Sequence, residues 1–210
     1  MSQWIESQAG FIKSRDLQNI SNALAGGAIA VIPSDTGYAL VCRLGDKNAG
    51  NRIRQLRELD KDHPFTIMCS DLTHLSQYAR VDNVQFRLLK RLFPGAFTCI
   101  LPASKEVPRL VQHEKRKTIG IRIPEHGICQ SIIAAHQEAL MGISLNSDEE
   151  QYFINLHDMD KAFINAVDII VDCGELPLRP STVLDLTEMP PLILRQGAGD
   201  ISLLQQESYR

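Results

Sequence analysis

Five consecutive residues, Ala28-Ile29-Ala30-Val31-Ile32, are apolar without interruption, with Gly26-Gly27 before them and Pro33 after. A strand that is apolar on both sides has to be covered on both sides, which calls for a sheet flanked by helices. Residues 139–143 repeat the pattern, and strand-like runs follow at 65–69, 97–101, 118–123, 167–171, 182–186 and 192–194. Helical spacing fills the early gaps. A helix capped by Ser14 or Asp16 runs to Ala25, and another covers 48–59 with Ile53 and Leu56 on one face. A third starts at Asp71, a fourth carries Leu88, Leu89 and Leu92, and a fifth covers 127–138. Helices alternate with strands early and strands crowd together late, so the expected fold is α/β, a twisted, open, mixed sheet flanked by helices.

At 210 residues the chain is read as one domain, large enough to bury a core. Its first residues lack a basic and then apolar leader, and no apolar stretch approaches the roughly 20 residues that cross a bilayer. The five cysteines lie at least 27 residues apart with no C-x-x-C pair, which argues against a disulfide framework or a structural zinc. These features predict a soluble, reduced, cytoplasmic protein with no membrane partner.

Charge is unevenly spread. Between Arg87 and Arg122 nine Lys and Arg face two acids, whereas residues 123–200 hold thirteen acids against three bases. The basic stretch is either an ordinary solvated face or a surface for phosphates or RNA, with Lys90, Arg91, Arg109, Lys115, Arg116 and Lys117 as its candidates.

Three polar segments end strand-like runs: Pro33-Ser34-Asp35-Thr36-Gly37-Tyr38, Ser144-Leu145-Asn146 and Arg195-Gln196-Gly197. Open α/β sheets bind ligands outside strand carboxyl ends, so a shared pocket is expected there. Ser34, Thr36, Tyr38, Ser144, Asn146 and Ser181 offer neutral hydrogen bonds; Arg57, Arg122 and Arg195 offer charged, bidentate ones. Asp35 reads as a turn cap rather than a base. Other chemistries fail on spacing. Gly45 and Gly50 are followed by Asn51-Arg52 where a P-loop needs Lys and Ser or Thr, and Gly142 to Asn146 lacks the second glycine of a nucleophile elbow. The six histidines show no metal-ligand spacing.

These segments, with Pro94-Gly95-Ala96-Phe97-Thr98, Gly120-Ile121-Arg122-Ile123-Pro124 and Ser181-Thr182-Val183-Leu184-Asp185-Leu186, resemble the YrdC family of threonylcarbamoyl-AMP synthases, in particular its YciO branch. The resemblance covers about residues 14–200 and implies an open sheet with a basic concave face, without the extra C-terminal domain of the longer family form. It also implies a reaction of ATP, magnesium, bicarbonate and L-threonine that gives threonylcarbamoyl-AMP for tRNA modification. Carried over, Ser34, Thr36 and Tyr38 would line a threonine pocket, with Thr118 and Arg122 near the nucleotide and the threonine carboxylate. Arg57, Ser144, Asn146, Ser181 and Arg195 would bind the nucleotide, Ser144 and Asn146 beside its phosphates, and Arg57, Ser144 and Asn146 would carry the catalysis. The synthases' K-x-R motif falls on Arg57 and Leu59, so its arginine is replaced. That departure keeps open a binder of structured RNA (tRNA or double-stranded RNA), or a protein that handles the adenylate without making it.

Overall fold

The computed structural model describes residues 2–7, 10–61, 63–145 and 153–204. Strands β1 (Gln3–Glu6), β2 (Ala30–Ser34), β3 (Gly37–Arg43), β4 (Thr66–Met68), β5 (Phe97–Pro102), β6 (Thr118–Arg122) and β7 (Leu140–Ser144) are joined in sequence by β8 (Phe153–Ile154), β9 (Ile169–Asp172), β10 (Leu176–Pro177), β11 (Thr182–Asp185) and β12 (Leu192–Arg195). Ten of them form one open sheet in the order β1-β9-β2-β3-β7-β4-β6-β5-β11-β12, and β8 pairs with β10 apart from it. The pairs β1–β9, β9–β2, β4–β6 and β5–β11 are parallel and the others in the sheet antiparallel. The fold is thus the mixed α/β sheet expected.

The helices are α1 (Ser14–Ala25), α2 (Lys47–Leu56), α3 (Leu72–Tyr78), α4 (Asn83–Leu92), α5 (Gly127–His136) and α6 (Lys161–Ala166). Aspartates start most of them. Asp46, Asp71 and Asp160 accept from first-turn N–H groups, and Asp82 with Gln85 makes a reciprocal capping box. Helix α1 is different: Lys13 holds its cap position, and Ser14 and Asp16 lie inside the first turn, where the Asp16 charge suits the helix dipole. Helix α2 stops at Leu56, three residues short of the expected end. Leu59 N–H turns back to the Arg54 carbonyl through Glu58 in the left-handed region.

Period-two alternation gives the sheet two faces of different character. Leu40 and Cys42 of β3, Ile67 of β4, Cys99 of β5, Ile121 of β6 and Leu184 of β11 point into one core with α2, α3 and α4. On the other face Ala30, Ile32, Val41, Leu140, Ile169 and Val171 pack under Ile20 and Leu24 of α1 and Ile128, Ile132 and Ile133 of α5. Those two helices pack over the β1-to-β7 half and the end of β4 at Met68. The half built from β4, β6, β5 and β11 has no helix over it among the described residues. No helix among them is long and apolar enough to cross a membrane.

Candidate functional site

A cavity of about 580 Å³ lies on that bare half of the sheet. Its floor is a cross-strand row set by register: Gly142 of β7 faces Thr66 of β4, Thr66 faces Gly120 of β6, and Gly120 faces Ile100 of β5. Two glycines beside a threonine leave the floor low. A Cβ on Gly120 would stand 3.4 Å from Thr98 Cγ2 and 3.6 Å from Thr66 Oγ1, both cavity-lining side chains.

The β2–β3 hairpin supplies one wall. Ser34 pairs with Gly37, so Asp35 and Thr36 form a two-residue tip. Arg122, at the carboxyl end of β6, closes onto this tip with Nη2 at 2.6 Å from Asp35 Oδ1 and Nη1 at 2.8 Å from Thr36 Oγ1. Asp35 Oδ2 accepts the Glu125 N–H at 3.1 Å. Asp35 is therefore the counter-ion of Arg122 as well as a turn residue.

Two expected hydroxyls are used elsewhere. Ser34 lies beneath Thr36 at 3.2 Å and donates to the Gly37 carbonyl at 2.9 Å, so it supports the wall without lining it. Tyr38 borders the cavity, but its hydroxyl donates to the Gly174 carbonyl at 2.7 Å and accepts from Cys173 N–H at 3.0 Å. Burial raises that phenol well above its usual range, so it stays protonated.

Arg57 caps the end of α2 and donates to the Ser144 carbonyl at 2.7 Å, joining two expected residues across 87 positions. Burial pulls its guanidinium below the ordinary arginine value. Leu59 lines the cavity beside it. Arg54 is taken up elsewhere, stacked 4.6 Å over the Phe65 ring and donating to the His63 carbonyl. At the far wall Arg195 donates through Nε and Nη2 to the Ser181 carbonyl at 3.2 and 3.0 Å, and Ser181 Oγ meets Thr98 Oγ1 at 2.7 Å. Thr118 is buried and lines the cavity. Asn146 lies outside the described residues.

Three lining residues carry no such expectation from the sequence. His63 and His113 show no metal-ligand spacing there, and Arg116 falls among the RNA candidates. Burial, then the charges of Arg54 and Arg57, hold the His63 imidazole below its usual value. The legible signal is glycine: Gly120 and Gly142 interrupt strands, where such a residue marks close approach of a ligand or backbone.

The basic stretch does not form one surface. Lys90 and Arg91 sit at the end of α4, which packs on the sheet face opposite the cavity; Lys90 Nζ lies 5.1 Å from the Phe86 ring and Arg91 donates to the Leu203 carbonyl. Arg109, Lys115 and Lys117 are exposed, and none of the three lines the cavity that Arg116 enters. In total the described lining has four arginines, two histidines and no carboxylate. Such a site suits an anion.

Comparison with known proteins gives the family and the fold. The family profile described as Telomere recombination, that of Sua5, YciO and YrdC, matches residues 22–197. Uncharacterized protein YciO of Escherichia coli K12 is 40% identical over 96% of this chain and 98% of its own length, and its crystal structure superposes with a TM-score of 0.86. A threonylcarbamoyl-AMP synthase of Pyrococcus abyssi is 30% identical over 94% of this chain, which spans 55% of that protein. The structure of P. abyssi Sua5 complexed with L-threonine has a TM-score of 0.81 at 27% identity, over 94% of this chain and 57% of that one. The chain belongs to the Sua5, YciO and YrdC family.

Proposed function

We propose that the cavity binds an adenine nucleotide together with L-threonine, as an L-threonylcarbamoyladenylate synthase of the family would. The observation that carries this reading is the convergence of Thr36, Arg57, Thr118, Arg122, Ser144, Ser181 and Arg195 on one cavity, with no carboxylate in the described lining. Thr36 and Thr118 offer hydroxyls to a small amino acid; Arg57, Arg195 and Ser181 offer cationic and neutral donors to phosphate. Bicarbonate, threonine and ATP need little covalent help from a protein that aligns them and neutralises developing charge. Magnesium would enter with the ATP, whose phosphate oxygens suit it as ligands.

Leu59 is the weak point of the wall, because a leucine gives a triphosphate no charge. The test is pyrophosphate release with ATP, magnesium, bicarbonate and L-threonine, beside the double variant Arg57→Lys, Leu59→Arg. Release by the natural protein that depends on all the substrates supports the synthase. Release only by the variant leaves the nucleotide pocket standing and makes the natural protein a binder or handler of the adenylate. Silence from both, with no ATP binding, overturns the reading.

One observation favours structured RNA as a second reading: Arg109, Lys115 and Lys117 are exposed. Backbone-dominated binding to tRNA or double-stranded RNA weakens steeply with salt. RNA affinity that ignores both salt and charge reversal at Lys115 and Lys117 removes it.

A further inference from the structure

Arg116 differs from the other cavity arginines in how it is held. Arg122 is locked to Asp35, with both side chains under a tenth exposed. Arg57 and Arg195 donate to backbone carbonyls within about 3 Å. Arg116 has a side chain 58% exposed and meets Asp185 Oδ2 only at 3.8 Å. The other Asp185 oxygen is engaged independently, accepting from Thr187 N at 2.9 Å and Thr187 Oγ1 at 2.6 Å.

The loop that carries Arg116 is by contrast well fixed. His113 N–H donates to the Thr118 carbonyl at 2.8 Å, and Lys117 N–H donates to the His113 carbonyl at 2.9 Å. Arg116 N–H donates to His113 Nδ1 at 3.1 Å. With Nδ1 used as an acceptor, the donor nitrogen of the ring is Nε2, and His113 lines the cavity. A pinned loop thus presents a donor imidazole and an exposed guanidinium whose ion pair with the mostly buried Asp185 is long. Such pairs are weak, whereas guanidinium and phosphate can meet through two parallel hydrogen bonds.

We infer that His113 and Arg116 form a phosphate-gripping arm of this cavity, and that Asp185 is the carboxylate an incoming phosphoryl group displaces from Arg116. The inference rests on the reading that the cavity takes a phosphorylated ligand, and adds which residues grip the phosphate and what competes with it. Asp185 lowers anion affinity in proportion to its hold on Arg116. The change Asp185→Asn keeps an oxygen for Thr187 and removes the competing charge.

The experiment is calorimetric titration of ATP and of inorganic tripolyphosphate into the natural protein, Arg116→Gln, Asp185→Asn and the double variant, with thermal unfolding of each. Arg116→Gln should weaken both anions by about tenfold to a hundredfold, the range of a lost hydrogen bond to a charged group. Asp185→Asn should tighten them by about two- to fivefold, and that gain should vanish when Arg116 is also replaced. If the natural protein binds neither anion, the phosphorylated-ligand reading fails and the inference with it. If it binds them and folded Asp185→Asn gains nothing, the inference alone is overturned. It is likewise overturned if Arg116→Gln weakens a duplex RNA but neither small anion.

Discussion

Asp35 and Arg122 stand 87 positions apart in the chain and meet at 2.6 Å, with side chains 9% and 6% exposed. The bond fastens the tip of the β2–β3 hairpin to the end of β6, so an ion pair ties down the part of the cavity wall that projects beyond the paired strands. Arg122→Ala leaves the Asp35 carboxylate buried without its cation, a loss of about 3–5 kcal/mol. Asp35→Asn should cost less, because Glu125 N–H keeps an acceptor. Urea unfolding of both variants measures this. A loss below about 1 kcal/mol for Arg122→Ala would place the pair among weak surface contacts and leave the wall without its fastening.

Phosphate binding should take up protons through His63. Burial and the neighbouring Arg54 and Arg57 keep its imidazole below the ordinary value of 6.5, hence neutral near pH 7. An anion among these groups reverses their effect and favours the charged ring. Titration of ATP near pH 6.5 in two buffers of different ionisation enthalpy should reveal net proton uptake, and affinity should rise as pH falls. His63→Gln should remove both effects.

Stability should move in the opposite direction. His63, His74, His126 and His136 are all held below their usual value of 6.5, chiefly by burial. The unfolded chain therefore binds more protons than the folded one in mildly acid solution. The stabilisation from these neutral rings is complete above the unfolded value of 6.5 and is lost as pH falls below it, through the lower folded-state values. Melting temperatures without ligand at about pH 7.5 and about pH 5.5 should differ accordingly. His136→Leu, at a buried site, should flatten the dependence.

The two floor glycines should respond differently to a methyl group. On Gly142 it would lie 2.7 Å from Val41 Cγ1 and 2.9 Å from the Leu40 carbonyl oxygen, so Gly142→Ala should destabilise by about 1–3 kcal/mol. On Gly120 it meets only side chains, at 3.4 Å or more. Gly120→Ala should fold as well as the natural chain and bind ATP more weakly, because the added methyl occupies the floor. Unfolding and titration side by side separate the two.

Much of this is legible in the chain. The uninterrupted run before Pro33 requires cover on both faces, and Ala30 and Val31 do point into different cores. Strand β3 escapes notice because Asp35-Thr36 lacks the Asn-Gly signature of a two-residue turn, so residues 33–38 look like an open loop. The same gap misplaces two hydroxyls. Inside a hairpin, alternation decides which side chains reach the cavity, and it sends Ser34 under Thr36 and the Tyr38 hydroxyl towards Gly174. Strand β1, only four residues long, and α6, only six, lack the length over which periodicity speaks. His113 and Arg116 carry no spacing signal at all; a backbone-pinned loop puts them in the wall, and only tertiary structure fixes that loop.

Helices α1 and α5 cover half of one sheet face, and no helix among the described residues covers the other half. In a folding balance this is a thin layer: Thr98, Thr118 and Arg122 are buried there, but polar side chains and a cavity stand where apolar helix faces stand elsewhere. A ligand seated on that floor serves as the layer, and whatever binds the native state alone raises its stability with the logarithm of its concentration. The melting temperature of this protein is therefore a gauge of occupancy, and screening small anions for the one that lifts it most is a route to the natural ligand that presupposes no reaction.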